Sequence, residues 1–246
     1  MKVLAIGNSF SQDATRYLHD VAKADGYNLK VVNLFIGGCP LSLHYKNINN
    51  DNRAYLYEFN GMNTEICVSV KDALESDLWD YVTVQQVSRE SMDYETYQPY
   101  LDALVSYVHK YCPKAKILVH ETWAYKDKTD TLQRFGYENQ ADMYNDVKNA
   151  YIKAAEHLKT EMIPSGEAMQ NLLRNGVPVI HRDHIHASFG LGRLTLAFTW
   201  YEFLTGRSTD GIEIPDSVLD EPVSEKEILL AKISAHDAVE KKLIRN

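Results

Sequence analysis

Ser9 lies where the sequence pattern changes from a buried strand to a helix. The apolar run KVLAIG at residues 2–7 is followed by Asn8-Ser9, and a helical pattern begins soon after. A serine in such a turn points outward at the edge of a sheet, where its hydroxyl can act as a nucleophile and its backbone N–H can face a developing oxyanion. A helix N-cap is the other role that serine commonly fills here. The nucleophile hypothesis therefore requires a base from elsewhere in the chain.

A base for Ser9 is available in the segment VIHRDHIHASFGLGR at residues 179–193. Asp183 and His186 are three residues apart there, in a loop just before a helical pattern. With this spacing the carboxylate and the imidazole can converge on one side of a turn, so that Asp183 orients one ring nitrogen while the other faces Ser9. The sequence thus predicts a Ser-His-Asp triad.

The same segment also allows a metal site, because several of its side chains are metal ligands in other proteins. These side chains are His181, Asp183, His184 and His186. A second group of ligands is not evident in the sequence, although folding could bring in His44, His120 and Glu121. We predict a reaction that needs neither a metal nor another cofactor, and a metal-dependent hydrolase or metal-binding protein remains the alternative.

The composition argues against several classes of partner. The 246-residue chain has a formal net charge of −8, whereas a nucleic-acid surface needs clustered Lys and Arg. No apolar run approaches the roughly 20 residues that cross a bilayer, and the first residues are interrupted too soon for a signal peptide. The sequence predicts a cytoplasmic protein with no nucleic-acid or membrane partner, unless a secretion signal was trimmed from it. Three cysteines without CxxC spacing predict buried thiols at Cys39, Cys67 and Cys112.

Apolar runs alternate with helical patterns along the chain. The runs that predict strands are KVLAIG, LKVVNLFI, WDYVTVQQ, KILVHETW and EMIPS. The patterns that predict helices lie at about 12–25, 96–111, 138–159 and 188–205. This alternation is typical of a parallel sheet with helices on both faces, and ligands of such sheets bind beyond the carboxyl ends of the strands.

Two segments depart from the alternation. Asn60-Gly61 separates two β-like runs, which predicts a hairpin inserted at about residues 45–68. Ser224 and Glu227 have the spacing of a capping box and predict a C-terminal helix at about 224–244. We expect residues 1–246 to form a single domain.

Three blocks of the sequence resemble the SGNH, or GDSL-like, hydrolase superfamily: IGNSFS after the first strand, NLFIGGCPL after the second, and DHIHAS near the C-terminus. The similarity extends over about residues 1–205. It is greatest to a poorly characterised branch that has Gly-Asn-Ser-Phe-Ser in place of Gly-Asp-Ser-Leu. The resemblance implies a three-layer α/β/α sandwich with a central parallel sheet, flavodoxin-like in architecture, and an esterase or lipase activity.

The resemblance also assigns roles to individual residues. Ser9 corresponds to the nucleophile, His186 to the general base, and Asp183 to the residue that orients it. The backbone N–H groups of Ser9 and of Gly38, or of Gly37 as the alternative, correspond to oxyanion donors. The family's third donor is an asparagine after the third strand, which is absent from VTVQQVSRES. A glutamine amide offers the same chemistry, so the candidates are, in order, Gln86, Gln85 and Ser88.

Three more residues are candidates for the same cleft. His44 follows the second block closely, and Glu121 and Trp123 stand at the end of the fourth predicted strand. For each of them a structural role competes with a role in substrate binding. The chain also contains 16 tyrosines against 7 phenylalanines, and tyrosine rings suit stacking on sugars as well as packing.

Together these features predict a serine ester hydrolase. The expected substrate is a short acyl ester, such as an acetyl group on a carbohydrate or on another small polar molecule. A carbohydrate-binding relative that has kept the scaffold but lost catalysis is a further alternative, because the third oxyanion donor is missing from its usual place.

Overall fold

The computed structural model describes residues 1–243, and these residues contain one seven-stranded sheet. The strands are β1 (Lys2–Gly7), β2 (Lys30–Phe35), β3 (Tyr55–Phe59), β4 (Met62–Val68), β5 (Tyr81–Val84), β6 (Lys116–His120) and β7 (Glu161–Ile163). Each of the five predicted strands is present, although four of them are shorter than the apolar run that predicted them. In the last run Pro164, which has no N–H to donate to a ladder, follows the end of β7 directly.

The sheet order is β4-β3-β2-β1-β5-β6-β7. Strands β2, β1, β5, β6 and β7 are parallel, whereas β3 runs antiparallel to β2 and to β4. The sheet is therefore mixed. The prediction of a parallel sheet holds for the five adjacent strands β2, β1, β5, β6 and β7 but not for the hairpin β3-β4. Because β1 is flanked by β2 and β5, the segments that follow these three strands meet at one edge of the sheet.

The hairpin lies in the segment where an insertion was predicted. Asn60 and Gly61 both have positive φ, 49° and 80°, as the tight turn between β3 and β4 requires. A Cβ at Gly61 would come within 2.0 Å of the Arg16 carbonyl oxygen, so only glycine fits there. The first part of the predicted insertion, from residue 45, is helical instead. Cys67, expected to be buried, is exposed on the edge strand β4, while the other two thiols are buried.

Helices pack on both faces of the sheet. They are α1 (Ser9–Thr15), α2 (Leu18–Ala24), α3 (Leu41–Asn49), α4 (Val70–Glu75), α5 (Tyr100–Tyr111), α6 (Asp130–Arg134), α7 (Gln140–Leu158), α8 (Ser165–Arg174), α9 (Leu191–Thr205) and α10 (Glu225–Leu243). Helix α9 contacts α1, α2, α8 and α10, whereas α5 contacts α3 and α4. This is the predicted three-layer α/β/α arrangement. Among the described residues no helix is long and apolar enough to cross a membrane.

The sequence located four of the longer helices and missed α3, α4, α6 and α8. The predicted helix at about 12–25 is two helices, α1 and α2, with a break at Arg16-Tyr17. The predicted C-terminal helix begins at Glu225, with Ser224 and Glu227 hydrogen-bonded as in a capping box. The end of that prediction, residue 244, lies outside the described residues.

Candidate active site

Ser9, His186 and Asp183 form a continuous hydrogen-bonded series. The Ser9 Oγ lies 2.8 Å from His186 Nε2, and His186 Nδ1 lies 2.7 Å from Asp183 Oδ2. Ser9 is the first residue of α1, and the other two residues lie in the loop before α9, 177 positions from the serine in the case of His186. The structure thus brings the three predicted catalytic residues together at the carboxyl edge of β1.

The proton positions follow from these contacts. The carboxylate of Asp183 can only accept, so the proton of the neutral imidazole is on Nδ1 and the Nε2 lone pair accepts from the Ser9 hydroxyl. Although partial burial raises the pKa of Asp183, the backbone N–H groups of His186 and Ile185 and the imidazole lower it to about 2. Asp183 therefore remains a carboxylate near neutral pH. In this arrangement His186 can remove the proton of Ser9.

Asp183 also shapes the loop that carries His186. Its Oδ1 accepts hydrogen bonds of 2.7 Å from the backbone N–H groups of both Ile185 and His186. His181 and Ala187 form an isolated antiparallel bridge that closes the loop. We name residues 181–187 the histidine loop. One carboxylate thus fixes both the backbone turn and the ring of His186, which explains the three-residue spacing.

Asn8 joins the serine turn to its surroundings, a role that the sequence prediction missed. Its Oδ1 accepts from the Phe10 N–H at 3.0 Å and from Gln85 Nε2 at 2.9 Å, and its Nδ2 donates to the Cys39 carbonyl at 3.1 Å. Asn8 is the N-cap of α1, and Ser11 returns a hydrogen bond to complete a capping box. Asparagine before a helix is a familiar N-cap signal, so this part of its role was readable in the sequence.

The predicted oxyanion glycines lie in a turn beside the serine. Cys39 N–H donates to the Ile36 carbonyl across this turn, and both Gly37 and Gly38 are exposed. Gly38 has φ of 61°, a conformation that favours glycine. Because Asn8 binds the Cys39 carbonyl, the turn is attached to the residue before Ser9. Gly38 keeps its place as the first candidate for the second backbone donor.

Gln86 is not placed to fill the role predicted for it. Its amide nitrogen donates to the carbonyl and the hydroxyl of Thr96, at 3.0 Å and 3.2 Å. Its amide oxygen accepts from the backbone N–H groups of Leu41 and Val87, both at 2.9 Å. The side chain is fully buried. Gln86 therefore holds together the segments that follow β2 and β5, and its donors are already used.

The other two candidates for the third donor are also engaged. Gln85 donates to Asn8 and its amide oxygen lies 2.6 Å from His120 Nδ1. Ser88 Oγ accepts from the Tyr125 hydroxyl at 3.1 Å. Both side chains are buried. In the segment 85–89 the exposed donor is Arg89, whose Nη1 lies 3.1 Å from the Gly38 carbonyl oxygen and whose side chain is 47% exposed.

Trp123 packs against both the serine helix and the histidine loop. Its ring stacks on Phe10 with 4.2 Å between centroids, and Phe10 lies 5.9 Å from the His186 ring. Its indole N–H donates to the Ile185 carbonyl at 2.9 Å. These contacts support the serine helix and the histidine loop together. Trp123 is fully buried, so it cannot contact the substrate directly, which is the role that was predicted as one possibility.

His44 and Glu121 are buried away from solvent, which does not match the cleft-lining role considered for them. His44 Nδ1 lies 2.8 Å from the Tyr55 hydroxyl, and burial lowers the pKa of His44 to about 4. Glu121 Oε1 lies 3.1 Å from the Tyr144 hydroxyl oxygen, and Glu121 Oε2 accepts from the Glu167 backbone N–H. Burial, reinforced by the charge of Glu167, raises the pKa of Glu121 to about 7.

Each of the four side chains of the histidine loop that could bind a metal is engaged in hydrogen bonds within the protein. His181 Nε2 donates to the Ala124 carbonyl, and His184 Nδ1 lies 2.8 Å from the Thr131 hydroxyl. His186 uses both ring nitrogens for Asp183 and Ser9. No group of three metal-binding side chains converges anywhere in residues 1–243. The arrangement of these side chains favours the triad over the metal site.

Comparison with known proteins places the chain in a family. The model of the Domain of unknown function (DUF4886) matches residues 2–238. The crystal structure of a DUF4886 family protein from Bacteroides uniformis is 36% identical, with a TM-score of 0.89, and the similarity covers 98% of this chain and 95% of that one. No curated protein matches the chain in sequence.

More distant solved structures have the same fold. Axe2, an acetylxylan esterase from Geobacillus stearothermophilus, is 16% identical with a TM-score of 0.53, over 80% of this chain and 90% of that one. A member of the lipolytic protein G-D-S-L family from Veillonella parvula is 14% identical with a TM-score of 0.52, over 83% of this chain and 98% of that one. The predicted SGNH hydrolase fold is confirmed, and the chain belongs to the DUF4886 family.

Proposed function

We propose that the protein is a serine ester hydrolase in which Ser9 is the nucleophile, His186 the general base and Asp183 the residue that orients the base. The observation that carries the proposal is the series of hydrogen bonds of 2.8 Å and 2.7 Å from Ser9 through His186 to Asp183. Ser9 and His186 are both partly exposed, so a substrate can reach them. The similarity in fold to an acetylxylan esterase and to a lipolytic protein is consistent with this chemistry.

The reaction has two stages. His186 Nε2 takes the proton of Ser9 as Oγ attacks the ester carbonyl carbon, and the tetrahedral intermediate forms. The imidazolium then gives this proton to the leaving alkoxide, so that the alcohol departs and an acyl-serine remains. In the second stage a water molecule loses a proton to the same nitrogen and attacks the acyl carbon. Collapse of that intermediate releases the carboxylic acid and returns the proton to Ser9. Neither a metal nor another cofactor enters these steps.

The negative oxygen of the intermediate requires hydrogen-bond donors fixed before the reaction begins. We assign two of them to the backbone N–H groups of Ser9 and Gly38. Ser9 opens α1, so its N–H has no helical acceptor four residues earlier.

Arg89 is our candidate for the third donor in place of the glutamines. A guanidinium has five N–H donors. One contact of Arg89 goes to the Gly38 carbonyl and another, at 3.5 Å, to Glu90, which leaves donors for a third group. Its cationic charge also favours an oxyanion more than a neutral amide would.

The proposed substrate is a short acyl ester, acetyl in the simplest case, of a carbohydrate or another small polar molecule. Not all of the tyrosines are available for stacking on a sugar, because Tyr55 and Tyr97 are buried in the core. Tyr45 is 37% exposed and its ring lies 5.6 Å from the Tyr100 ring, so this pair is one aromatic surface that a sugar could contact.

A fluorophosphonate probe tests the proposal, because it labels only an activated serine. The chain offers a matched control in Ser165, whose hydroxyl lies 3.1 Å from His120 Nε2 but is fully buried. We expect peptide mapping to find the label on Ser9 and not on Ser165. Ser9→Ala is expected to abolish both the labelling and the hydrolysis of p-nitrophenyl acetate. A folded wild-type protein that is not labelled would contradict the proposal, and glycan binding by that protein would favour the non-catalytic alternative.

A further inference from the structure

Asp13 is a buried carboxylate on the helix that carries Ser9. It follows Ser9 by four residues, one helical turn, and its side chain is completely buried. A buried charge is unfavourable unless it is paired and hydrogen-bonded. Asp13 therefore needs cationic partners. The elements that carry these cations are the ones to which Asp13 links the serine helix.

One of these cations belongs to the histidine loop. Arg182 Nη1 lies 2.9 Å and 2.8 Å from the two carboxylate oxygens of Asp13. The same nitrogen lies 2.5 Å from the Ala187 carbonyl, and the Arg182 backbone N–H donates to the His186 carbonyl at 3.1 Å. Arg182 thus binds the carbonyls of His186 and of the next residue, Ala187, while its guanidinium charge binds the serine helix.

The second cation comes from outside the loop. Arg193 on α9 donates from Nε to Asp13 at 2.8 Å and pairs with Asp220 at 2.5 Å. The guanidinium carbons of Arg182 and Arg193 lie 4.5 Å and 4.6 Å from the centroid of the Phe189 ring. The two arginines therefore share the carboxylate and the ring, but Arg193 makes no hydrogen bond to residues 181–187 among the contacts of the described chain.

We propose that Asp13 and Arg182 are positioning residues that set the distance between Ser9 and His186. The pair links the first turns of α1 to the histidine loop, which carries His186. Because the Asp13 side chain is buried and accepts both hydrogen bonds from Arg182, the contact fixes the position of the loop relative to the helix. The proposal rests on the proposed hydrolase function, since positioning has a catalytic effect only if Ser9 and His186 react. A displacement of about 1 Å between reacting groups can lower a rate by about 100-fold.

The test compares Arg182→Lys with Arg193→Lys. Lysine keeps the positive charge beside Asp13, but its side chain is shorter and ends in a single ammonium group. Its nitrogen therefore cannot reach the position of Arg182 Nη1, and it cannot donate from two nitrogens as Arg193 does. Both substitutions disturb the same carboxylate and the same aromatic contact, and only the first disturbs the histidine loop. The readouts are the rate constant of fluorophosphonate labelling at Ser9 per folded molecule, and kcat and KM for p-nitrophenyl acetate.

For Arg182→Lys we expect labelling and kcat to fall at least about tenfold, with KM within about twofold of wild type. Arg193→Lys is expected to lower the melting temperature but to leave labelling per folded molecule within about twofold of wild type. Should Arg182→Lys fail to fold, the double variant Asp13→Asn/Arg182→Gln, which removes both charges of the pair, takes its place with the same expectation.

The outcomes separate this proposal from the proposed function. If wild type is labelled at Ser9 and both variants react as fast as wild type, the positioning role is wrong while the hydrolase function stands. Equal losses in both variants would show a general loosening around Asp13 and would also overturn the role given to Arg182. An unlabelled wild-type protein would overturn the hydrolase function, and the positioning role with it.

Discussion

Gln85 Nε2 donates a hydrogen bond of 2.9 Å to Asn8 Oδ1 and so ties the end of β5 to the turn that presents Ser9. The bond belongs to a buried series with one consistent direction of donation. Trp200 donates to Ser165, Ser165 to His120, His120 to Gln85 and Gln85 to Asn8, whose own amide donates to the Cys39 carbonyl. Burial lowers the pKa of His120 to about 3, so the ring stays neutral and can donate through one nitrogen and accept through the other.

Asn8→Ala is expected to impair both stability and activity. The substitution removes the N-cap of α1 and leaves the partners in the buried series unpaired. We expect the free energy of unfolding to fall by about 2–4 kcal/mol and kcat to fall because the serine turn loses its attachment. Asn139→Ala is the control, since Asn139 caps α7 at an exposed site, and it is expected to cost about 1 kcal/mol with kcat unchanged. Urea unfolding and ester hydrolysis measure the two effects, and an unaffected kcat in Asn8→Ala would contradict the role given to Asn8.

Gln86→Met is expected to reduce stability without reducing the rate of the folded enzyme. Methionine has a similar volume but leaves the buried N–H groups of Leu41 and Val87 without their acceptor, which costs about 1–3 kcal/mol for each unsatisfied group. Chemical denaturation and kcat, corrected for the folded fraction, distinguish this expectation from a catalytic role. A fall in kcat of about 100-fold at unchanged stability would restore Gln86 as an oxyanion donor.

Arg89→Met is expected to lower kcat for a neutral acetyl ester by about 100-fold, with little change in KM, if Arg89 donates to the oxyanion. Arg89→Lys is expected to lose less, because a cationic donor remains. Arg53→Met is the matched control, since Arg53 is also exposed and also donates to one backbone carbonyl, that of Cys67.

A different result for Arg89 would identify a different role. If KM rises for esters with an anionic alcohol or acyl group, and kcat for neutral esters is unchanged, Arg89 binds a substrate anion and is not an oxyanion donor. If the melting temperature falls and the loss of kcat disappears after correction for the folded fraction, Arg89 stabilises the Gly38 turn instead.

The sequence could predict that Ser9, His186 and Asp183 lie together because each part of this group has a local signature. A strand that runs directly into a helix exposes Ser9, and the spacing of Asp183 and His186 suits a single turn. The role predicted for Gln86 was wrong for a physical reason. Whether an amide at a strand end is free to bind a ligand depends on its hydrogen-bond partners, and Leu41 and Thr96 reach Gln86 only through tertiary packing. The Asp13–Arg182 contact likewise joins positions 169 residues apart. The hairpin could be read from Asn60-Gly61, but nothing local indicates that β3 pairs with β2.

Asp183→Asn is expected to lower kcat by roughly 1,000-fold or more, because the amide no longer favours the productive tautomer or stabilises the imidazolium. The pKa of Asp183 lies near 2, below its ordinary value of 3.8, so its carboxylate is ionised at all pH values above about 4. Its ionisation therefore stabilises the fold above the pKa of the unfolded chain, and this contribution is lost as the pH falls towards 2.

The pH dependence of kcat checks this assignment. We expect no inflection from Asp183 between about pH 4 and pH 9, and Asp237→Asn, at an exposed position on α10, is the control with an unchanged profile. A rate for Asp183→Asn close to that of wild type would show that the histidine loop orients His186 without this carboxylate.

Glu121→Gln is expected to stabilise the protein at alkaline pH and to have little effect at acid pH. Burial, the largest cause, and the Glu167 charge hold the pKa of Glu121 near 7, against an ordinary value of 4.5. The folded state therefore binds more protons than the unfolded state between these pH values, and stability falls as the pH rises through them. The cost of ionising Glu121 in the fold amounts to about 3 kcal/mol above pH 7.

Glutamine imitates the protonated acid at this site. Its amide nitrogen can donate to the Tyr144 oxygen, whose hydroxyl donates to Glu167 at 2.9 Å, while its oxygen keeps the bond from the Glu167 N–H. Urea unfolding at about pH 5 and pH 8 should show a difference between Glu121→Gln and wild type that grows by about 2.5 kcal/mol, whereas Glu138→Gln, at an exposed position, should follow wild type. Parallel stability curves for wild type and Glu121→Gln would mean that Glu121 is already ionised in the fold below pH 5, and that Lys148 and the Glu167 N–H outweigh its burial.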